Sequence, residues 1–135
     1  MRTHRSRHLL LASALALAAC SDMTLISLEI NTWGGDHIGI TITATGGTIE
    51  YDCAMGRIDE PIRLQNGRFD VRGVHWPGQG GPIGVDTLPT PRPARYQGSV
   101  SGDRMTVTVT LTDKNEVLGT YAAWKGRSPN VVKCL

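Results

Sequence analysis

Apolar side chains recur at every second residue through most of this chain. Ile26, Leu28 and Ile30 alternate with Ser27 and Glu29; Ile38, Ile40 and Ile42 alternate with Gly39, Thr41 and Thr43; Ile49, Tyr51 and Cys53 alternate with Thr48, Glu50 and Asp52. A period of two gives a strand one apolar face, whereas an amphipathic helix needs apolar spacings of three and four. The pattern therefore predicts β structure throughout, with no helix of useful length after residue 19. Trp33-Gly34-Gly35-Asp36 and Gly46-Gly47 supply the turn residues between these first runs.

Two later turns predict strand registers. Asn66-Gly67 is a strong hairpin signal, because a type I′ turn needs positive φ at both central residues. A two-residue turn there sets Leu64 opposite Phe69, Ile62 opposite Val71 and Arg63 opposite Asp70. Gly102-Asp103 sets Val100 opposite Met105, Gly98 opposite Val107 and Tyr96 opposite Val109, with Thr106, Thr108 and Thr110 outward. Lys114-Asn115 is expected to bring Leu111 to face Leu118, and a last short strand through Val131 and Val132 to end at Cys134.

Eight or nine short strands with tight turns predict an all-β fold: a small antiparallel meander closed into an eight-stranded barrel filled by its own side chains. A two-sheet β-sandwich is the alternative, since strand patterns do not fix whether the first and last strands pair. From Gly73 to Pro93 the alternation is broken by Pro at 77, 82, 89, 91 and 93, which predicts a long loop. Trp76 is expected there, either as an exposed contact residue or as a plug over one barrel end.

The start of the chain has a different pattern. Met1 to Arg7 is basic, Leu9 to Leu17 is apolar, and Ala18-Ala19 is a small-residue end, which is the layout of a secretory leader. The apolar run falls short of the roughly 20 residues of a membrane span. Leu17-Ala18-Ala19-Cys20 is similar to the lipobox of bacterial lipoproteins, and this resemblance implies diacylglycerol on the Cys20 thiol and cleavage before it. The chain then divides into a signal peptide (1–19), a lipidated N-terminus and short linker (20–23) and a single β-barrel domain (24–135). Three linker residues reach only about 10–14 Å, so one end of the domain is expected to face lipid head groups. Ser21 rather than Asp after the cysteine implies, by analogy with lipoprotein sorting, the outer membrane on its periplasmic side.

Charge narrows the function classes. Of 14 Lys and Arg, Arg2, Arg5 and Arg7 lie in the leader, leaving 11 against 12 Asp and Glu. A domain with a net charge near −1 and no basic block lacks the footprint of a nucleic-acid binder. Cys53 and Cys134 are the remaining thiols, and an exported chain meets an oxidising compartment, so a structural disulfide between them is expected. Two histidines follow the leader, His37 and His75, without ligand spacing, so no metal or other cofactor is expected.

The candidate polar surface is His37, Glu50 and Asp52, on the face opposite the isoleucines. A Thr45-Gly46 turn would place His37 opposite Ala54 and diagonal to Asp52, and a Gly46-Gly47 turn would shift it opposite Gly56. On the outer face of a barrel such a cluster is ordinarily a solvated surface. Without a nucleophile elbow, phosphate loop or dinucleotide fingerprint, the expectation is not an enzyme.

Trp33-Gly34-Gly35-Asp36-His37, Glu50 to Gly56, Gly80-Gly81-Pro82 and Lys133-Cys134-Leu135 resemble a family of small exported bacterial β proteins that carries no assigned activity. Tyr51-Asp52-Cys53 with Gly56 is also similar to the Tyr-x-Cys element of membrane-bound C-type lysozyme inhibitors. The first expectation is a membrane-anchored envelope lipoprotein that binds an envelope protein or serves structurally. The alternatives are an inhibitor of a lysozyme-like enzyme, or a carrier of a small apolar ligand needing an internal cavity of roughly 300 Å³ or more.

Overall fold

The computed structural model describes residues 25–78 and 89–134. Ten strands run along them: β1 (Ile26–Ser27), β2 (Thr32–Gly35), β3 (Ile38–Thr43), β4 (Gly46–Tyr51), β5 (Ala54–Ile58), β6 (Arg63–Leu64), β7 (Arg68–Pro77), β8 (Arg92–Ser101), β9 (Arg104–Leu111) and β10 (Glu116–Lys125). Eight of them close an antiparallel barrel in the order β10-β2-β3-β4-β5-β7-β8-β9, while β1 and β6 pair as a separate ribbon. The sheet thus closes on itself instead of splitting into a sandwich, and its eight strands leave no open edge.

The period-two pattern fills the interior. Tyr96, Ile38, Ile42, Ile49, Met105, Leu111, Val107 and Val109 are each under 2% exposed, and Trp33, Tyr51, Ile58, Phe69 and Val71 are among the others buried with them. Burying a large apolar side chain contributes about 1.5–3 kcal/mol, so this row is the main source of stability.

The hairpins define two ends. At the near end, where the described chain begins, lie the turns 44–45 and 102–103 and the β1–β6 ribbon, with Leu28, Ile62 and Leu64 packed against the core. At the far end lie the turns 36–37, 52–53 and 112–115, with Pro77 at the end of β7 and Arg92 at the start of β8. The chain leaves β10 at the near end, where Gly126 N–H donates to Thr32 O at 2.7 Å, and residues 126–134 then run up the outside of the barrel as a strap. Asn130 bridges Asp36 in parallel, and Cys134 reaches Cys53 at the far end. Gly34 is what admits the strap: a Cβ there would lie 2.1 Å from the Arg127 carbonyl oxygen, and its partner Gly39 faces the Pro129 ring.

The Gly102-Asp103 hairpin has the expected register, Val100 with Met105, Gly98 with Val107 and Tyr96 with Val109. Elsewhere the structure corrects the expectations. Trp33-Gly34-Gly35-Asp36 is not a turn: Thr32–Gly35 is a strand with Trp33 in the core, and the turn is Asp36-His37. Ile26 to Ile30 does not pair with Ile38 to Ile42, because β2 takes that edge of β3. Ala44-Thr45, not Gly46-Gly47, joins β3 to β4. Asn66 and Gly67 both have positive φ and Gln65 bridges Arg68. Beyond that bridge, however, β6 leaves for β1 and β7 pairs with β5, so the expected Leu64, Ile62 and Arg63 pairs do not form. A four-residue turn at 112–115 sets Leu111 opposite Glu116 instead of Leu118, and a bulge between Val117 and Gly119 follows it. Val131 and Val132 belong to the strap and not to a strand. The expected loop from Gly73 is shorter, since β7 pairs with β5 as far as Pro77 and β8 starts at Arg92.

Candidate functional site at the far rim

Two adjacent turns build this rim, and each holds a bulky residue at positive φ: His37 at 69° and Cys53 at 54°. Non-glycine side chains resist that region at roughly 1–2 kcal/mol each, so something must hold them. The strap does. His37 N–H donates to Asn130 O at 2.7 Å, Cys53 N–H donates to Val132 O at 2.9 Å, and Cys53 is disulfide-bonded to Cys134.

The β3–β4 register differs from both expected alternatives and is more favourable to a site. Ile38 pairs with Tyr51, which sets His37 directly beside Asp52. His37 Nδ1 lies 2.5 Å from Asp52 Oδ2, and Asp52 Oδ1 accepts the Val132 N–H at 2.8 Å. That backbone bond first, and the His37 contact with it, hold the Asp52 carboxyl below the ordinary 3.8 against the opposing effect of burial. Glu50 pairs with Lys133 at 2.5 Å, and Asp36 accepts from Asn130 Nδ2 at 3.4 Å. The acidic groups of the rim thus fasten the strap. Thr120 and Tyr121 line an open depression of about 370 Å³ with His37 and Asp52, and burial first, then the Asp52 charge, push the Tyr121 phenol above its ordinary 10.0.

Trp76 sits on β7 rather than in a loop, yet it belongs to the same surface. Glu50 is opposite Met55, and Met55 is opposite Trp76, so the three form one row across the outer face of β4, β5 and β7. The row forms part of a groove of about 280 Å³ closed by Pro77, Pro89, Val132 and the Cys53–Cys134 bridge. Met55 is 60% exposed and Val132 58%, and the Arg57 guanidinium lies 5.5 Å from the Trp76 ring centre. Such a contact steadies the indole by roughly 0.5–1 kcal/mol. His37, Glu50, Asp52 and Trp76 therefore gather at one end of the barrel, whereas Cys20 lies outside the described residues.

No protein-family model matches this chain, and no curated protein or solved structure is significantly similar to it.

Beneath the rim is a buried polar cluster that the pattern did not announce. Tyr51 stacks between His75 and Tyr121, each ring centre 5.7 Å from its own. Tyr96 donates its hydroxyl to Val74 O at 2.7 Å, which leaves Tyr51 to donate to Tyr96 at 3.1 Å. Gly56 makes room for both hydroxyls, since a Cβ there would stand 2.2 Å from Tyr96 Oη and 2.5 Å from Tyr51 Oη. Burial pushes the Tyr51 phenol far up and Tyr96 up to about 12, so both remain neutral donors. The tyrosine of the Tyr-x-Cys element is thus an interior residue, and the tip of any loop between Gly78 and Pro89 lies outside the described residues.

His75 is 6% exposed, and its Nδ1 has no hydrogen-bond partner among the described residues. Burial first, then the Arg92 charge, lower its pKa from the ordinary 6.5, with Glu116 opposing. Below pH 6.5 the unfolded chain takes up a proton that the folded chain refuses. Stability is therefore full above that pH and is lost as pH falls toward the lowered value. The Asp52, Asp70 and Asp113 carboxyls, all held below 3.8, add their own loss only in stronger acid. His75→Phe, which keeps the ring against Tyr51, should abolish the upper step. Denaturant midpoints measured downward from pH 6.5 test this, and an unchanged slope in the variant would refute it.

Proposed function

We propose that this chain is a lipid-anchored module of the bacterial cell envelope that binds an envelope protein through its far rim, and that it is not an enzyme. Three features support the anchor: the leader, Leu17-Ala18-Ala19-Cys20, and a disulfide suited to an oxidising compartment. With Ser21 after the cysteine, the outer membrane facing the periplasm is the proposed location. The observation that carries the binding role is the groove of Met55, Trp76 and Val132. It exposes apolar side chains beside a fixed ion pair, Glu50 with Lys133, at the end remote from β1. An exposed apolar core with a polar margin and a partly buried tryptophan is the composition of a contact patch.

A photoreactive residue in place of Met55, activated in native envelopes, should give a discrete protein adduct. Lys114, on the same end but outside the groove, should give none. Trp76→Ala should cut capture of that adducted protein by roughly thirtyfold or more, as for a hot-spot loss of about 2 kcal/mol. Equal adducts from both positions would contradict the proposal.

A further inference from the structure

The near end carries a second surface. Six large apolar side chains are strongly exposed among the described residues, and three of them lie within one short stretch: Leu25 at 53%, Ile26 at 62% and Ile30 at 69%. A soluble domain gains nothing by concentrating them there. The β1–β6 ribbon holds this stretch in place, since Ile26 pairs with Leu64 and Ser27 with Arg63. Leu28 turns inward against the core, and its N–H donates to Ile62 O at 2.9 Å. The ribbon therefore closes the barrel with one side and shows apolar side chains with the other.

Charge at this end has a surplus of one sign. Arg57 pairs with Asp59, Arg72 with Glu60, and Lys125 with Glu29. Asp70 is engaged by Arg95 and Gln97, Asp103 faces Lys125, and Arg104 lies over Trp124. Arg63 and Arg68 have no ion-pair partner among the described residues. Both line an open depression of about 830 Å³ with Leu25, Ser99 and Asp70, whose carboxylate is held by Arg95 and Gln97. Two guanidiniums without a carboxylate partner, beside an apolar tip, match a surface of phosphates over hydrocarbon.

We infer that the near end is a bilayer-docking face, with Leu25, Ile26 and Ile30 entering the interface and Arg63 and Arg68 pairing with the phosphates of anionic lipids. This rests on the proposed anchor for its location: Cys20 precedes Leu25 by five residues, so its acyl chains would lie within about 18 Å of this face. Docking fixes the barrel upright and turns the groove at Met55 away from the membrane.

The test uses the mature protein purified from envelopes, with its N-terminus and any acyl mass on Cys20 read by mass spectrometry. It is mixed with vesicles of phosphatidylethanolamine and phosphatidylglycerol, or of phosphatidylcholine alone. A photoreactive residue at Ile30 should give lipid adducts on the anionic vesicles about tenfold more often than one at Lys114. At about 1 kcal/mol per arginine near an anionic surface, Arg63→Gln with Arg68→Gln should weaken docking about thirtyfold. Replacing the anionic lipid should do the same, while Lys114→Gln should leave docking unchanged. Equal adducts from Ile30 and Lys114, or no effect of the double variant, would overturn the docking face even if Cys20 is acylated. An unmodified Cys20 with docking intact would overturn only the anchor.

Discussion

Breaking the Cys53–Cys134 bond is expected to lower the stability of the folded chain by about 4 kcal/mol, which for a domain of this size is a fall in Tm on the order of 15 °C. The bond joins residues 81 apart in sequence, so its loss frees a long stretch of the unfolded chain and raises that state's entropy. The folded state loses something as well. Without the bridge the strap is held by Asn130 at Asp36, Val132 at Asp52 and Cys53, and Lys133 at Glu50, mostly at exposed sites that hold weakly one by one. Once it lifts, His37 and Cys53 keep their unfavourable φ with nothing to hold them, and the outer faces of Gly34 and Gly39 are bared. The eight-stranded barrel itself closes without residues 126–134. Cys53→Ala with Cys134→Ala should therefore keep the far-ultraviolet signature of the sheet while losing thermal stability. A shift below about 1 kcal/mol would show that the strap is an ornament, and loss of the sheet would show that it is part of the folding core.

Much of this architecture was legible because alternation survives wherever a strand has one face in the core. The β8–β9 hairpin is the clearest case: Tyr96, Gly98 and Val100 face Val109, Val107 and Met105 across a turn whose Gly102 adopts positive φ. Two of the misreadings share a physical source, which is glycine serving strands instead of turns. Gly34 and Gly35 looked like a turn, but Gly34 is small so that the strap can cross it. Gly46 and Gly47 drew the β3–β4 turn two residues too far along, past the inconspicuous Ala44-Thr45.

The rim was half legible for the same reason. His37, Glu50 and Asp52 were identifiable as an outward polar set, and the true register brings His37 closer to Asp52 than either expected turn. The part played by Val132 and Lys133 was hidden, because contacts from a strap that crosses strands leave no periodic trace in sequence. Met55 was hidden too, since the Asp52-Cys53 turn has none of the usual turn residues at its left-handed position and masked the start of β5. The set of buried Tyr51, His75 and Tyr96 with half-buried Tyr121 needs inward polar residues on four strands, which alternation cannot distinguish from ordinary core.

The second large effect concerns Cys20. Acyl burial contributes about 0.8 kcal/mol per methylene, and a single chain gives only marginal, reversible binding, whereas two or three give stable attachment. Removing them should leave only the near-end face, whose two arginines and three apolar side chains form a weak, salt-sensitive contact. The most direct test compares the native protein with a Cys20→Ser form exported behind an ordinary, non-lipidating leader, with both sets of membranes washed in high salt before fractionation. The native protein should remain in the pellet and the variant should move almost wholly to the soluble fraction, a shift of roughly a hundredfold or more. Equal retention of the two forms would contradict a lipid anchor at Cys20.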